Sequence, residues 1–180
     1  MENSKTAFRD YLQLEKKYSP HTVNAYLNDL ISFETYIHSE FDTDDLLNIS
    51  YSLIRSWIVT LVDAQISNTS VNRKISSLKS YYKFLLKTKQ IAISPLLKHK
   101  SLKTPKTLQI PFSEKELDEV LNFITYPEGF EGVRDKLIID LFYSTGIRRT
   151  ELIHLKMLNI DLSNATLKVL GKRLLKNFGN

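Results

Sequence analysis

The sequence has no cysteine and only five glycines and five prolines in 180 residues. The absence of cysteine excludes a disulfide framework, a thiolate metal site and a cysteine nucleophile. No apolar run approaches the roughly 20 residues that a membrane-spanning helix needs. The first residues also lack the apolar core of a signal peptide. We therefore expect a cytoplasmic protein that does not enter a membrane.

Catalytic signatures of the common kinds are also missing. The sequence has no glycine-rich phosphate loop, no internal repeat and no pattern that supports serine or threonine hydrolase chemistry. The histidines show no metal-ligand spacing; they are His21, His38, His99 and His154. We expect no metal and no small-molecule cofactor.

Acidic residues are absent from one long stretch. No aspartate or glutamate occurs between Ala64 and Ser113, although the formal net charge of the whole chain is only +5. The basic residues of this stretch are Arg73, Lys74, Lys79, Lys83, Lys87, Lys89, Lys98, Lys100, Lys103 and Lys106. A long segment of one charge sign is the footprint of a polyanion binder. Ordinary solvated lysines remain the alternative, but they usually alternate with glutamate.

Hydrophobic spacing predicts four helices in the first hundred residues, at about 4–17, 20–38, 51–63 and 67–87. Ser19 and Pro20 have the residue types of an N-cap and a first helical position. Trp57, the only tryptophan, falls on the apolar face of the third helix, so we expect it in the core. On the first helix the predicted apolar side consists of Phe8, Tyr11, Leu12 and Leu14.

The fourth helix has two contrasting faces. Its apolar stripe consists of Val71, Ile75, Leu78, Tyr82 and Leu85, and its opposite face of Arg73, Ser76, Ser80, Lys83 and Lys87. A basic, hydroxyl-bearing face without acids can contact phosphates and reach base edges. On the second helix, Thr22, Asn24 and Asn28 form a small polar face that can lie against DNA or face water.

A basic segment with two prolines separates two predicted domains. Residues 98–111 lack periodicity and read as an extended basic linker that could run along a duplex, with Lys103 and Lys106 as candidate contacts. We therefore expect a helical DNA-binding domain at 1–97 and a second domain at 112–180. Ser113 and Glu116 have the spacing of a capping box at the start of that second domain.

Arg148 lies at a predicted corner between two helices. The spacing of apolar residues predicts a buried helix at 133–142, which Gly146 ends because glycine enters positive φ without steric cost. A short helix with Leu152 follows. A guanidinium on such a corner is a good fork for two phosphate oxygens. The alternative is a surface arginine that solvates a turn.

Residues 145–156, TGIRRTELIHLK, resemble the first arginine box of the tyrosine recombinase (phage integrase, Xer-like) family. Residues 160–162 and 166–172 resemble the strand and hairpin that carry that family's catalytic lysine. Residues 14–26 and 71–85 are similar to its core-binding domain. The resemblance implies a mainly α fold, with an N-terminal four-helix core-binding (SAM-like) bundle and the truncated start of a mixed α/β catalytic domain.

The resemblance also implies a chemistry and a partner, double-stranded DNA. In this family a tyrosine attacks the scissile phosphate and forms a 3′-phosphotyrosyl link without a metal. By motif, Arg148 would clamp the phosphate, Lys172 would be the general acid and Glu151 would steady the arginine corner. Self-association on DNA is compatible with the resemblance.

Two family features have no match in the sequence. No histidine is followed by arginine three residues later, and no tyrosine lies in a context that matches the nucleophile. After Lys172 the sequence departs from the family pattern. We expect a truncated recombinase that binds duplex DNA without cleaving it. The alternatives are a helical module that binds an acidic protein, and an enzyme completed by a second polypeptide.

Overall fold

The computed structural model describes residues 2–106, 108–164, 166–170 and 175–178, and these residues are mainly helical. The chain divides into two compact units, Met1–Thr107 and Leu108–Asn180. Among the described residues, none of the helices combines the length and the hydropathy needed to cross a membrane. The same part of the chain contains no group of three histidine or carboxylate side chains placed to hold a metal ion.

The first unit is a helical bundle. Its helices are α1 (Glu2–Asp10), which continues as a π-helical turn at Tyr11–Glu15, α2 (Pro20–Phe41), α3 (Tyr51–Asp63) and α4 (Asn68–Lys87). The hydroxyl oxygen of Ser19 accepts the N–H of Thr22 at 3.3 Å, with Pro20 at the first helical position. At α4 the Ser67 hydroxyl accepts the N–H of Ser70 at 3.3 Å. Both helices therefore start where the sequence predicts, at side chains that satisfy otherwise unpaired N–H groups.

One core fills the centre of this bundle. Trp57 is buried against Phe33, with ring centroids 5.0 Å apart, so its predicted core position is confirmed. The whole predicted stripe of α4 is buried as well. Leu14 is a wrong prediction, because 73% of it is exposed. The π-helical turn places more residues in each turn, so Leu14 no longer follows Tyr11 on the inner face.

The second unit combines short helices with a small sheet. Its elements are α5 (Glu114–Asp118), a π-helical turn at Glu119–Phe123, α6 (Phe130–Thr145), α7 (Arg149–Ile153), a 3-10 turn at Met157–Asn159, β1 (Ile160–Asp161), β2 (Thr166–Leu170) and β3 (Leu175–Phe178). The strands are antiparallel in the order β1-β2-β3, and Leu167 pairs with both Ile160 and Phe178. The mainly α fold with short β pieces near its end is as predicted.

Helix α6 is less buried than its sequence indicates. Val133 is 70% exposed and Tyr143 also lies at the surface, whereas Leu141 and Phe142 are half-buried. The prediction of a buried helix at 133–142 is therefore correct about the helix and wrong about its burial. Apolar spacing fixes which side chains share a face, but an apolar surface on another element must cover that face.

Candidate nucleic-acid interface and arginine corner

The outer face of α4 presents the predicted basic and hydroxyl side chains to solvent. Arg73, Ser76, Lys83 and Lys87 are exposed and Ser80 is half-buried. These residues follow one another at steps of three and four, on the side opposite the buried stripe. The hydroxyl of Ser76 donates to the Asn72 carbonyl at 2.9 Å, so its oxygen remains available as an acceptor.

Two of these cations already pair with carboxylates of the first unit. Lys87 forms an ion pair with Glu15, and this hydrogen bond raises the pKa of the lysine. The Lys87 ammonium also lies 5.2 Å from the centroid of the Tyr11 ring. Both charged groups are largely exposed, so the pair contributes little to stability and can exchange Glu15 for another anion.

Arg73 is held by a buried carboxylate. Asp29 of α2 is only 2% exposed, and its two oxygens accept Nη1 and Nη2 of Arg73 at 2.9 and 3.0 Å. The same carboxylate accepts Lys74 Nζ at 3.2 Å and the Ser77 hydroxyl at 2.7 Å. A guanidinium has five N–H donors, and the Arg73 side chain is 54% exposed. Asp29 therefore fixes the orientation of Arg73 and leaves other donors for an external ligand.

Asp29 was not among the predicted site residues. The spacing of apolar residues on α2 does indicate that Asp29 is buried, because Tyr26, Leu30 and Phe33 flank it on the inner face. A carboxylate at such a position must find hydrogen-bond donors inside the fold. The acid-free helix α4 supplies them, 44 or more residues later in the chain.

The polar face that was predicted on α2 is present, and its residues are uncharged. Asn24 and Asn28 are exposed and one turn apart, and the Thr22 hydroxyl lies 3.0 Å from that of Ser19. The Asp29–Arg73 pair joins α2 to α4, so both predicted contact faces belong to helices that are tied together. Lys103 and Lys106, predicted on the linker, are also exposed.

The arginine corner forms where Gly146 ends α6. Gly146 has φ +60° and its N–H donates to the Phe142 carbonyl at 3.0 Å, which is a left-handed helix cap. Ile147 is buried directly after it. Arg148 then occupies the N-cap position of α7 in an extended conformation. The predicted corner is therefore present, anchored by one apolar side chain.

Glu151 holds Arg148 at two points. Its Oε2 accepts the backbone N–H of Arg148 at 2.9 Å, and its Oε1 accepts Nη1 of the same residue at 2.7 Å. The Glu151 side chain is 8% exposed and that of Arg148 is 54% exposed. The acid is thus sheltered while the guanidinium remains open to a ligand.

A cleft of about 520 Å³ lies beside this corner. It is lined by Thr150, Glu151, His154, Leu155, Asn159, Lys168 and Val169. Nδ1 of His154 donates to the Thr150 carbonyl at 2.7 Å. Lys168 was missed by the sequence reasoning, although it alternates with the buried Leu167 and Val169 on β2. Lys172, the predicted general acid, lies outside the described residues.

Two family models match separate parts of the chain. Residues 6–89 match the family described as "Phage integrase, N-terminal SAM-like domain", and residues 110–178 match the "Phage integrase family". A protein of Staphylococcus saprophyticus named "Tyrosine recombinase XerC" is 33% identical over 172 residues, 96% of this chain and 57% of that protein. Its namesake in Oceanobacillus iheyensis is 36% identical over 167 residues, 92% of this chain and 53% of that protein.

Solved structures share the fold. The Tn1549 transposon integrase, in a complex with circular intermediate DNA, has a TM-score of 0.68 at 15% identity and covers 93% of this chain and 53% of that one. An integrase from mycobacterium phage Brujita has a TM-score of 0.52 at 18% identity, with 96% and 56% covered. The chain thus spans somewhat more than half the length of the relatives it matches. It belongs to the phage integrase, or tyrosine recombinase, family.

Proposed function

We propose that this chain binds duplex DNA as the DNA-binding part of a site-specific recombinase. The helical domain at 1–97 and the basic linker at 98–111 provide the contact surface. The observation that carries this proposal is the acid-free stretch from Ala64 to Ser113, whose basic side chains on the outer face of α4 are exposed. Membership of the family, and a related integrase fold solved with DNA, support it.

Two kinds of contact follow from the side chains. Arg73, Lys83, Lys87, Lys103 and Lys106 neutralise phosphates and give most of the affinity, because each releases condensed counterions from the duplex. Thr22, Asn24, Asn28, Ser76 and Ser80 donate to or accept from the backbone and base edges. Sequence preference therefore rests on short polar side chains of α2 and α4.

The arginine corner supplies a phosphate clamp in the second unit. Arg148 keeps unpaired N–H donors while Glu151 fixes its guanidinium, which is the preorganisation that favours a transition state with added negative charge. By its sequence motif, Lys172 corresponds to the general acid that protonates the departing 5′-oxygen in a recombinase that cleaves DNA.

We further propose that this 180-residue chain binds DNA without cutting it. Its sequence contains no His-x-x-Arg box and no tyrosine in the context of the family's nucleophile. Loss of the nucleophile removes the covalent route. A nicked duplex incubated with the protein should give no protein–DNA adduct that survives denaturation. An adduct linked through any tyrosine would overturn this.

A second candidate is a module that binds an acidic protein. It is favoured by the carboxylates of Glu15 and Asp29, which already occupy two cations of α4. Polyaspartate and duplex DNA, compared as competitors at equal charge concentration, separate the two candidates. Stronger competition by polyaspartate would favour the protein partner.

Charge reversal on α4 tests the DNA proposal directly. Lys83→Glu should weaken duplex binding by about tenfold or more at low salt, because it replaces a phosphate contact by a repulsion. The matched control is Lys115→Glu, an equal charge change at an exposed position of α5. Lys115→Glu should change the affinity by less than about twofold. Equal effects of the two variants would show that binding depends on net charge and not on α4.

A further inference from the structure

The first half of the basic segment is fastened to the first unit by asparagine side chains. Asn72 Nδ2 donates to the Leu102 carbonyl at 2.9 Å, and its Oδ1 accepts the Leu102 N–H at 2.9 Å. Asn68, one turn earlier on α4, donates from Nδ2 to the Lys103 carbonyl at 2.8 Å. Asn72 therefore satisfies both main-chain groups of Leu102, as a neighbouring β-strand would.

Helix α3 and the core add further attachments. The Tyr51 hydroxyl lies 3.2 Å from Nδ1 of His99, and the two rings meet edge to face with centroids 5.9 Å apart. Leu96 is buried, and Leu102 packs partly buried against the core cluster. Residues 96–103 are thus held from both α3 and α4. We call Asn68 and Asn72 the asparagine latch.

The restraint ends abruptly after Lys103. Among the described residues from Thr104 to Phe112, with residue 107 left aside, none forms a hydrogen bond to the rest of the chain. The apolar side chains of Leu108, Ile110 and Phe112 are all largely exposed. One basic segment therefore contains a fastened part and an unattached part.

We infer that Asn68 and Asn72 are positioning residues for DNA binding. The asparagine latch holds residues 99–103 as a fixed extension of the α4 surface, with the exposed Lys100 and Lys103 beside it, and the unattached part of the segment begins at Thr104. This rests on the proposed DNA-binding function. A segment ordered before binding does not lose its conformational freedom on the duplex, so its lysines contribute more of their contact energy.

The main-chain bonds of the latch explain why asparagine is needed at position 72. A side chain that pairs with both an N–H and a carbonyl must carry an acceptor and a donor side by side. Aspartate at position 72 would keep the bond to the Leu102 N–H and lose the bond to its carbonyl. Alanine would lose both.

Limited trypsin digestion tests the fastened segment. In the wild type, cleavage after Lys106 should precede cleavage after Lys100 and Lys103. In the Asn68→Ala/Asn72→Ala variant, cleavage after Lys100 and Lys103 should speed up by about tenfold or more, because local opening no longer breaks these bonds. In the Asn72→Asp variant, the rate of cleavage after Lys100 and Lys103 should lie between the rates of the wild type and the double variant. Wild-type cleavage after Lys100 as fast as after Lys106 would overturn the inference.

A matched control separates the latch from general destabilisation. Asn48 is an exposed asparagine of the same unit whose side chain donates to Asp45, and Asn48→Ala should leave cleavage after Lys100 and Lys103 unchanged. Circular dichroism of all variants should show unchanged helix content. If Asn48→Ala speeds cleavage as much as the double variant, the latch is refuted.

Salt-dependent duplex binding tests the positioning role. The double variant should bind with a slope of log affinity against log salt that is less negative by about 1–2, since two ordered phosphate contacts are lost. Adding Lys100→Ala and Lys103→Ala to the double variant should cost less affinity than adding them to the wild type. If the wild type binds no duplex, the proposed function is refuted. The trypsin cleavage rates then still test whether the asparagine latch fastens residues 99–103. A double variant with the wild-type slope refutes the positioning role alone.

Discussion

Asp29→Asn should destabilise the first unit strongly, because a buried carboxylate with four hydrogen bonds is replaced by a neutral amide. Asp29 accepts two bonds from Arg73, one from Lys74 and one from Ser77. The amide has the same shape as the carboxylate but offers only one acceptor oxygen. Its N–H donors would face the positively charged side chains of Arg73 and Lys74. Breaking a buried ion pair typically costs about 3–5 kcal/mol, and the lower end applies because half-exposed Arg73 regains water.

Urea unfolding followed by tryptophan fluorescence measures this loss. Trp57 is the only tryptophan and lies in the core of this unit, so it reports on this unit alone. With a denaturant slope of about 2 kcal/mol per molar, a loss of about 3 kcal/mol lowers the midpoint by about 1.5 M. The matched control is Asp63→Asn at the exposed end of α3, which should change stability by less than about 0.5 kcal/mol. Equal effects of both changes would refute the reasoning about Asp29.

Three further predictions concern the backbone and pH. Gly132→Ala should destabilise α6 by about 3 kcal/mol in hydrogen exchange, because its Cβ would lie 1.9 Å from the Pro127 carbonyl oxygen. Gly146→Ala should cost α6 only about 1 kcal/mol in the same assay, because the site is open and only its φ of +60° is strained. Burial, aided by Lys79, lowers the pKa of His99 from 6.5. The unfolded state therefore binds the proton first, so stability of the first unit should fall as pH drops below 6.5, and His99→Gln should remove that dependence.

Much of the first unit could be predicted because its signals are local. The three- and four-residue steps of α4 place Ile75 inside and Lys83 outside without knowledge of any partner. The N-caps at Ser19 and Ser67 act within three residues of themselves. Such features depend on a few neighbouring residues, so the sequence alone determines them.

The polar attachments could not be predicted because they join distant residues. Asp29 meets Arg73 across 44 positions, and Asn72 meets Leu102 across 30. Nothing local distinguishes Asn72 from a solvated asparagine on α4. Its role becomes visible only when the segment after the helix returns along it.

In the second unit, the periodic spacing of apolar residues predicts a helix but does not predict its burial. Val133 and Leu137 recur at helical spacing and do form a helix, but both are largely exposed. By contrast, the corner at Arg148 was predictable because Gly146 and Glu151 act within three residues of it. Lys168 beside the cleft required knowledge of the sheet register.

The most direct test of the account is the salt dependence of binding to a short labelled duplex, measured by fluorescence anisotropy. The five proposed phosphate contacts, at about 0.9 each, predict a slope of log affinity against log salt of about −4.5. They are made by Arg73, Lys83, Lys87, Lys103 and Lys106. The slope should be less negative in Lys83→Glu. Binding that is undetectable at low salt, or a slope near zero, would contradict the claim that the acid-free surface of this integrase-family chain binds DNA.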